Sequence, residues 1–261
     1  MAGQFGKGYV KDIHDVRDWS LRKLFGAMRA PAVPTATLEQ FVDVVRDQGQ
    51  TSCCVGFAFA RAVQLRCAAM GVPIQWPSPS AIYTEARAYE LSSPTADLTD
   101  TGCAPRDAIK GMAEWGIPTD ASWPFDPATI DDKPDLGELE AASAAVLHDY
   151  FRIDTLGAER VLDVRSALSQ GYPVAIGVEV DNAFEAYAGT GAVTAPDPAN
   201  LLGGHMLCLV GYQTNANGTT RVRGVNSWSV NWGDRGFFWA DEAWLTDTNA
   251  TDLWVITSSP R

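Results

Sequence analysis

The spacing of apolar residues changes its period part-way along the chain, and this change restricts the fold more than any other feature. In the first part, apolar side chains recur at three- and four-residue steps, as in helices. From about residue 172 they form short runs between Gly, Asn and Asp, as in strands. The predicted helices are 52–70, 78–90, 105–115 and a short one at 163–170, and the predicted strands are 172–180, 206–212, 221–227 and 237–240. Helices followed by strands indicate an α+β fold with two unlike lobes.

The chain has 261 residues, enough for two lobes around a shared core. Its first part is broken by Pro31 and Pro34 and is expected to pack on the rest of the chain. The expected division is a lead-in at 1–45 and a body at 46–261, with a helical lobe at about 50–142, a β-rich lobe at about 143–261 and a Pro- and Asp-rich crossing at 127–142. A cleft between unlike lobes is a natural place for a binding site.

The charge and the apolar runs exclude several classes of partner. The net charge is −12 and the acidic residues are spread along the chain, so we expect no nucleic-acid partner, which would need clustered Lys and Arg. No apolar stretch is long enough to span a membrane, and residues 1–11 contain no secretory signal. We therefore expect a protein that stays in the cytoplasm or leaves it without a signal peptide. No pattern indicates an oligomeric state.

The five cysteines are too few and too unevenly spaced for a disulfide framework, and their odd number predicts at least one free thiol. Cys67 and Cys208 lie inside a predicted helix and a predicted strand, where a small buried cysteine is common. Cys54 differs because it lies at the first turn of the helix predicted at 52–70. Backbone N–H groups and the helix dipole favour a thiolate there, and a nearby imidazolium would favour it further.

Three histidines could supply that imidazole. His14 lies in a charged segment, and His148 ends an Ala-rich stretch. His205 follows two glycines and opens the apolar run of a predicted strand, a place where a histidine can be structural or functional.

The hairpin that begins at His205 favours a functional role. If the turn is centred between Asn215 and Ala216, facing residues have a constant sum of numbers, and His205 lies directly opposite Asn226. The asparagine carbonyl would then fix one ring nitrogen and leave the other free to take a proton. A bulge in either strand would change this register.

Three blocks of sequence together resemble the papain-like cysteine peptidases, in a bacterial form. The first block runs from Gln48 to Ala58, the second is Gly203-Gly204-His205, and the third is Asn226-Ser227-Trp228 followed by 232–236. The resemblance extends from about residue 44 to 239. It implies a two-lobed fold with a helical left lobe, an antiparallel β-barrel-like right lobe and the active site between them.

The resemblance also assigns roles to single residues. It implies that Cys54 is the nucleophile of a thiolate–imidazolium pair, that His205 is the acid and base, and that Asn226 orients the histidine. Gln48 and the backbone N–H of Cys54 would form the oxyanion hole. The substrate would be a peptide or protein, with no cofactor and no metal.

Four further positions are implied to contact the substrate or cover the site. Trp228 resembles the indole that covers the histidine–asparagine contact. Gly102 and Cys103 resemble the loop that holds the substrate backbone, and Gly204 would lie at the floor of the main specificity pocket.

Some features depart from the family pattern or leave alternatives open. Val55 follows the nucleophile where an aromatic residue is usual, and Thr51 replaces a cysteine. Cys53 is an alternative nucleophile, and a Cys53–Cys54 bond would silence the site. Residues 8–12 and 15–18 resemble the opening of some bacterial members, and we expect the lead-in to stay attached.

Three other functions use the same residues. An acyltransferase or deamidase would employ the same three side chains with a different acceptor, and a binding protein on this scaffold would have no activity. A zinc site is a remote alternative because the sequence has no C-x-x-C pair.

Overall fold

The structure is a computed structural model that describes residues 4–13, 15–26, 29–92, 98–132, 145–248 and 250–260. His14, residues 133–142 of the predicted crossing and the predicted lobe boundary near 142 lie outside these ranges.

Three of the predicted helices form within about two residues of their expected bounds, because Gly and Pro end each apolar repeat. The longest lies in the middle of the helical part and is buried on nearly all sides. The helices are α1 Leu21–Phe25, α2 Cys54–Ala69, α3 Pro79–Glu90, α4 Pro105–Glu114, α5 Gly157–Ser169, α6 Asn182–Glu185 and α7 Glu242–Thr246. Helix α5 begins six residues earlier than predicted, at Gly157 rather than residue 163. Within the described ranges, no helix combines the length and apolar character needed to cross a membrane.

The strands of the second part form one antiparallel sheet. The described strands are β1 Thr35–Thr37, β2 Tyr150–Ile153, β3 Val174–Asp181, β4 Leu201–Thr214, β5 Thr220–Val225, β6 Phe237–Asp241 and β7 Ala250–Ile256. Their order is β2-β7-β3-β4-β5-β6, with β1 paired to β4. Four of these strands were predicted, whereas β1, β2 and β7 were not.

Both faces of the sheet are buried, and one of them packs against α2. Along β4, Met206 and Cys208 pack in the cluster that surrounds α2, while Leu207 and Leu209 point to the opposite face, against α5 and α7. This alternation follows from the two-residue period of a strand. Helix α2 therefore lies against the sheet, and its first residue, Cys54, belongs to the same buried cluster as Met206.

The predicted register of the β4–β5 hairpin is wrong, because the turn is shorter than expected and β4 contains a bulge. Thr214 pairs with Thr220, and Gly211 pairs with Arg223 rather than with Thr220. An irregularity between Leu209 and Gly211 shifts the ladder, so that its last described pair is Cys208 with Val225.

Continuing that register places Asn226 opposite Leu207, with His205 two residues further along the same face. His205 is therefore a diagonal neighbour of Asn226 rather than its directly opposed partner. Diagonal positions are about 7–8 Å apart, within reach of long side chains.

The lead-in is fixed to the body by a buried network of charges. Asp12 accepts a hydrogen bond from the backbone N–H of Arg106 and pairs with Arg152, while Asp18 pairs with both arginines. Arg152 also pairs with Asp252, which accepts from the backbone N–H of Asp12. Arg106 belongs to α4 and Arg152 to β2, so the lead-in bridges the helical part and the sheet.

Glu85 in α3 gives a test of this packing. Its side chain is buried against Gly111 of α4, and neither carboxyl oxygen has a hydrogen-bond partner within the described residues. Burial raises the pKa of this carboxyl well above its usual value. A raised pKa means that the folded state favours the protonated form, so its contribution to stability is lost as pH rises.

We predict that Glu85→Gln stabilises the fold by about 1–3 kcal/mol at pH 8 and has little effect at pH 5, because glutamine keeps the shape without the charge. Thermal unfolding at the two pH values measures this difference. An equal loss of stability at both values would mean that the carboxyl makes a bond that glutamine cannot replace.

Candidate active site

Cys54 is the first residue of α2, and its side chain is fully buried. Cys53 precedes the helix, and its sulfur contacts the carbonyl oxygen of Pro79 at 3.3 Å, in the helical part. The five cysteines are all free thiols, so Cys53 and Cys54 are not bonded to each other. The two neighbours thus face different surroundings.

His205 and Asn226 are joined by a hydrogen bond of 2.8 Å between the histidine Nε2 and the asparagine Oδ1. The same Oδ1 accepts from the backbone N–H of Ser227 at 2.8 Å, which identifies this atom as the oxygen. Nε2 must therefore carry the proton. Nδ1 of His205 is buried and makes no hydrogen bond to a described residue, so it is free to accept a proton.

The sulfur of Cys54 lies beside the residue that follows this histidine. The backbone N–H groups of Met206, Gly8, Val55 and Cys54 itself all lower the pKa of this thiol, which places the sulfur near each of them. The structure thus brings together the helix start and the strand that carries His205, as the sequence analysis expected.

Gln48 joins the same site through the residue after Asn226. Its backbone N–H donates to the carbonyl of Ser227 at 2.9 Å, and its Oε1 accepts from the Ser227 hydroxyl at 2.6 Å. Next to this bond, Asp47 and Trp228 form an isolated antiparallel β-bridge. The Ser227 hydroxyl thereby turns the Gln48 amide so that Nε2 points away from it, toward Thr51 and residue 6.

Trp228 covers the histidine. Its indole stacks on the ring of His205 with 4.4 Å between centroids, and its ring also stacks with Phe5 at 4.5 Å. Trp228 is fully buried as a result. This placement agrees with the covering position that the sequence resemblance implied.

Residues 5–10, which we call the cleft segment, lie across all of these groups. The carbonyl of Gly8 accepts from Cys103 N–H at 2.9 Å, and Val10 N–H donates to the Cys103 carbonyl at 3.0 Å. Tyr9 N–H donates to the Gly204 carbonyl at 3.1 Å. The predicted substrate-binding positions therefore hold the chain's own N-terminal part.

The cleft segment lies too close to the backbone at Ser52 and Gly102 for side chains at Gly8 and Gly102. A Cβ atom on Gly8 would lie 1.9 Å from the Ser52 carbonyl oxygen, and a Cβ atom on Gly102 would lie 2.3 Å from the Gly8 oxygen. The backbone N–H of Gly8 is one of the groups that lower the pKa of the Cys54 thiol, so the segment passes close to the sulfur as well.

Tyr9 fills a side pocket of the cleft. Its ring lies against Gly177 and Gly204, where added Cβ atoms would fall 2.3 Å and 2.7 Å from it. Its hydroxyl lies 2.5 Å from both Thr251 Oγ1 and Asp252 Oδ2. Gly204 thus contributes to a pocket, as expected, but the pocket is occupied by tyrosine.

Burial disfavours the charged forms of Cys54 and His205 in this covered state. It raises the pKa of Cys54 to about 11, against the backbone N–H groups that lower it. It lowers the pKa of His205 to about 3, against the hydrogen bond that His205 donates to Asn226, which raises it. Burial therefore disfavours a thiolate–imidazolium pair in the covered cleft, because the cleft segment excludes the water that would solvate the charges, and the expected pair stays a prediction for the open cleft.

Comparison with known proteins identifies the family. A family model described as papain family cysteine protease matches residues 33–250. This chain belongs to the papain family of cysteine proteases. An uncharacterised peptidase C1-like protein of Acanthamoeba polyphaga mimivirus is 32% identical over 69% of this chain and 58% of its own length. A cathepsin L-like proteinase of Fasciola hepatica is 22% identical over 76% of this chain and 56% of its own length. The chain thus spans a little over half of these curated relatives.

Solved structures agree on the fold. Xylellain, a cysteine protease from Xylella fastidiosa, superimposes with a TM-score of 0.80 at 27% identity, covering 99% of this chain and 98% of its own. Digestive procathepsin L2 from Tenebrio molitor gives 0.72 at 20% identity, covering 98% of this chain and 78% of its own. The papain-like α+β fold expected from the sequence is confirmed.

Four elements of this papain-family site were not foreseen from the sequence. They are the Ser227 hydroxyl, the Glu185 carboxylate, the Tyr9 side chain and the Asp252 carboxylate. Ser227 could have been found from its position beside Asn226, whereas the other three depend on chain segments that meet only in the fold. Within the described residues, no group of three His, Cys, Asp or Glu side chains could hold a metal ion.

We predict that acid uncovers the cleft. The pKa of His205 is about 3 in the covered state rather than 6.5, so the covered state binds fewer protons. The cleft segment is therefore held less strongly in the cleft as pH falls below 6.5. Burial and Asp252 raise the pKa of Asp12 from 3.8 to about 6, which opposes this effect, but the shift is smaller. Amide exchange of residues 5–12, corrected for its intrinsic rate, should be about threefold faster at pH 4.5 than at pH 7.

Two variants separate these contributions. His205→Gln should abolish the acceleration in acid, whereas Asp12→Asn should make it steeper, because asparagine takes up no proton. Exchange that is slower in acid than at neutral pH in the unaltered protein would contradict the prediction.

Proposed function

We propose that this protein is a peptidase that hydrolyses peptide bonds through Cys54, with His205 as acid and base and Asn226 as the residue that positions the histidine. The observation that supports this most strongly is the state of the imidazole. Its Nε2 is held by Asn226, and its Nδ1 is buried with no partner among the described residues, in the cleft where α2 begins. That is the arrangement that proton transfer to and from a thiol requires.

The proposed reaction has two halves. Nδ1 of His205 takes the Cys54 proton as the sulfur attacks the scissile carbonyl, and the imidazolium then protonates the leaving amine. Water hydrolyses the resulting thioester after losing a proton to the same nitrogen.

Gln48 and the backbone N–H of Cys54 are the proposed donors to the oxyanion. In the covered state the Gln48 Nε2 already donates to the Gly6 carbonyl oxygen at 3.2 Å, which supports its role as a carbonyl-binding group. The Ser227 hydroxyl positions this amide. Two fixed donors in a site without water are a major source of stabilisation for developing negative charge.

Hydrolysis requires the cleft segment to leave the cleft, because residues 5–10 cover the sulfur and the histidine. We propose that the lead-in moves aside without being cleaved and remains part of the protein. The arginine network around Asp12 and Asp18 supports this view, because it holds the lead-in at a point beyond the cleft.

We predict that Cys54→Ala lowers kcat/KM on a fluorogenic dipeptide amide at pH 5 by about 10³-fold or more, because no other group can form the thioester. The matched control is Cys53→Ala, which removes a sulfur one residue away and should keep most of the activity. An epoxide-type thiol reagent should label the control but not Cys54→Ala.

Equal activity of Cys54→Ala and the unaltered protein would contradict the proposal, as would loss of activity in Cys53→Ala alone. The product also discriminates between acceptors. A free carboxylate indicates hydrolysis, whereas an amide formed with an added amine indicates acyl transfer.

We also predict that the lead-in stays attached during turnover. Intact-mass spectrometry of the protein before and after prolonged incubation with substrate at pH 5 should show no loss of residues. The active-site variant Cys54→Ala is the control for cleavage by contaminants. Loss of a fragment that ends near residue 45 in the unaltered protein alone would contradict the prediction.

A further inference from the structure

Lys7 of the cleft segment occupies a site of its own beside the histidine. Its ammonium pairs with the carboxylate of Glu185 and lies 5.6 Å from the ring centroid of Trp228. The two charged side chains are 9% and 10% exposed, so the pair is largely removed from water. A carboxylate together with an aromatic face is a good receptor for a cation.

Glu185 is held in place by elements other than Lys7. It ends α6, which begins at Asn182 and is capped by Asp181, whose carboxylate accepts from Phe184 N–H at 2.9 Å. The Trp232 indole N–H donates to the carbonyls of Phe184 and Glu185, and its ring packs edge-on against Trp228 at 5.5 Å. The carboxylate and the aromatic face therefore belong to one rigid unit, which remains when the cleft segment leaves.

The charge of Glu185 is stabilised from one side only. Burial alone would raise the pKa of its carboxyl, but hydrogen bonds from Lys7 and from the backbone N–H groups of Gln4 and Phe5 lower it. All three donors belong to the N-terminal part of the chain. Once that part leaves, this carboxylate loses these three partners and is ready to receive another cation.

The position of the site relative to the reaction follows from the proton transfers. The imidazolium of His205 protonates the leaving amine, so the released part of the substrate lies on the side of this histidine. Trp228 stacks on His205, and Glu185 acts on the charge of the imidazole. The cation site thus lies on the leaving-group side of the scissile bond.

We infer that Glu185 and Trp228 form a subsite for a lysine or arginine side chain on the leaving-group side of the substrate, and that Lys7 occupies it while the cleft is covered. The inference rests on the proposed peptidase function. It agrees with the net charge of −12, which draws basic peptides toward the protein. Lys7 is then both a mimic of the substrate and a competitor with it.

The first test is a charge exchange in the full chain, read by alkylation of Cys54 with iodoacetamide and mass spectrometry. Lys7→Glu and Glu185→Lys should each accelerate the labelling about tenfold, because like charges now meet under the cleft segment. The double exchange should return the rate to within about threefold of the unaltered protein. Lys11→Glu, an exposed change of equal charge on the same lead-in, should leave the rate unchanged.

The second test uses the Lys7→Glu protein, whose cleft is open, and three peptides that differ only in the two residues after the scissile bond. The expected order of kcat/KM is Lys, then Gln, then Glu, with about tenfold between the extremes. Adding Glu185→Gln should reduce this ratio to about threefold, the part due to overall charge.

The outcomes distinguish the two proposals. Labelling rates that do not depend on the charges at positions 7 and 185, or a peptide ratio that is the same with and without Glu185, would overturn the subsite. Labelling that follows the charge exchange, without hydrolysis of any peptide by any variant, would support the cation site and refute the peptidase function. Circular dichroism of each variant excludes misfolding as the cause of faster labelling.

Discussion

The short antiparallel contact between residues 46–48 and 227–229 is the interaction on which the site depends. It joins the chain just before α2 to the chain just after β5, through backbone bonds at both ends and the Gln48–Ser227 side-chain bond between them. Cys54 is six residues beyond one side of this contact, and Asn226 lies at the start of the other. Small movements of either lobe are therefore shared by the thiol, the amide donor and the histidine's partner. Side chains from distant parts of the sequence keep their relative positions because two short segments pair directly.

Covering the cleft changes the chemistry as well as the access. Beneath Gly8, Tyr9 and Phe5, burial raises the pKa of the Cys54 thiol and lowers the pKa of the His205 imidazole. The cover thus disfavours the proposed thiolate by removing the solvent that would stabilise its charge, in addition to occupying the space. Its own contacts imitate those of a ligand: a carbonyl on Gln48, a side chain in the pocket at Gly204, and a cation on Glu185. The same surfaces serve the bound segment and the proposed substrate.

Most of the architecture was accessible from the sequence, because the period of apolar residues and the Gly and Pro that interrupt it are local signals. Helices α2, α3 and α4 and the central strands follow them closely. Cys54, His205, Asn226 and Gln48 were found because their residue types occur in an unusual order. The contact of His205 with Asn226 was expected for the wrong geometric reason, since a bulge near Val210 changes the register and no residue type marks it. The shifted pKa values of the pair were not foreseen, because burial depends on where the first ten residues lie in space. Strand β7 was missed as well, although its Asp252 anchors both Tyr9 and Asp12.

Asp18 contacts Arg106 and Arg152, one from each half of the body, while Asp12 and Tyr9 continue the same connection toward the cleft. The lead-in therefore connects the helical part to the sheet. A change that weakens its charge pairs also shortens the time for which the cleft segment stays bound in the cleft. Substitutions at these arginines, remote from the sulfur, would therefore alter how often Cys54 and His205 meet solvent.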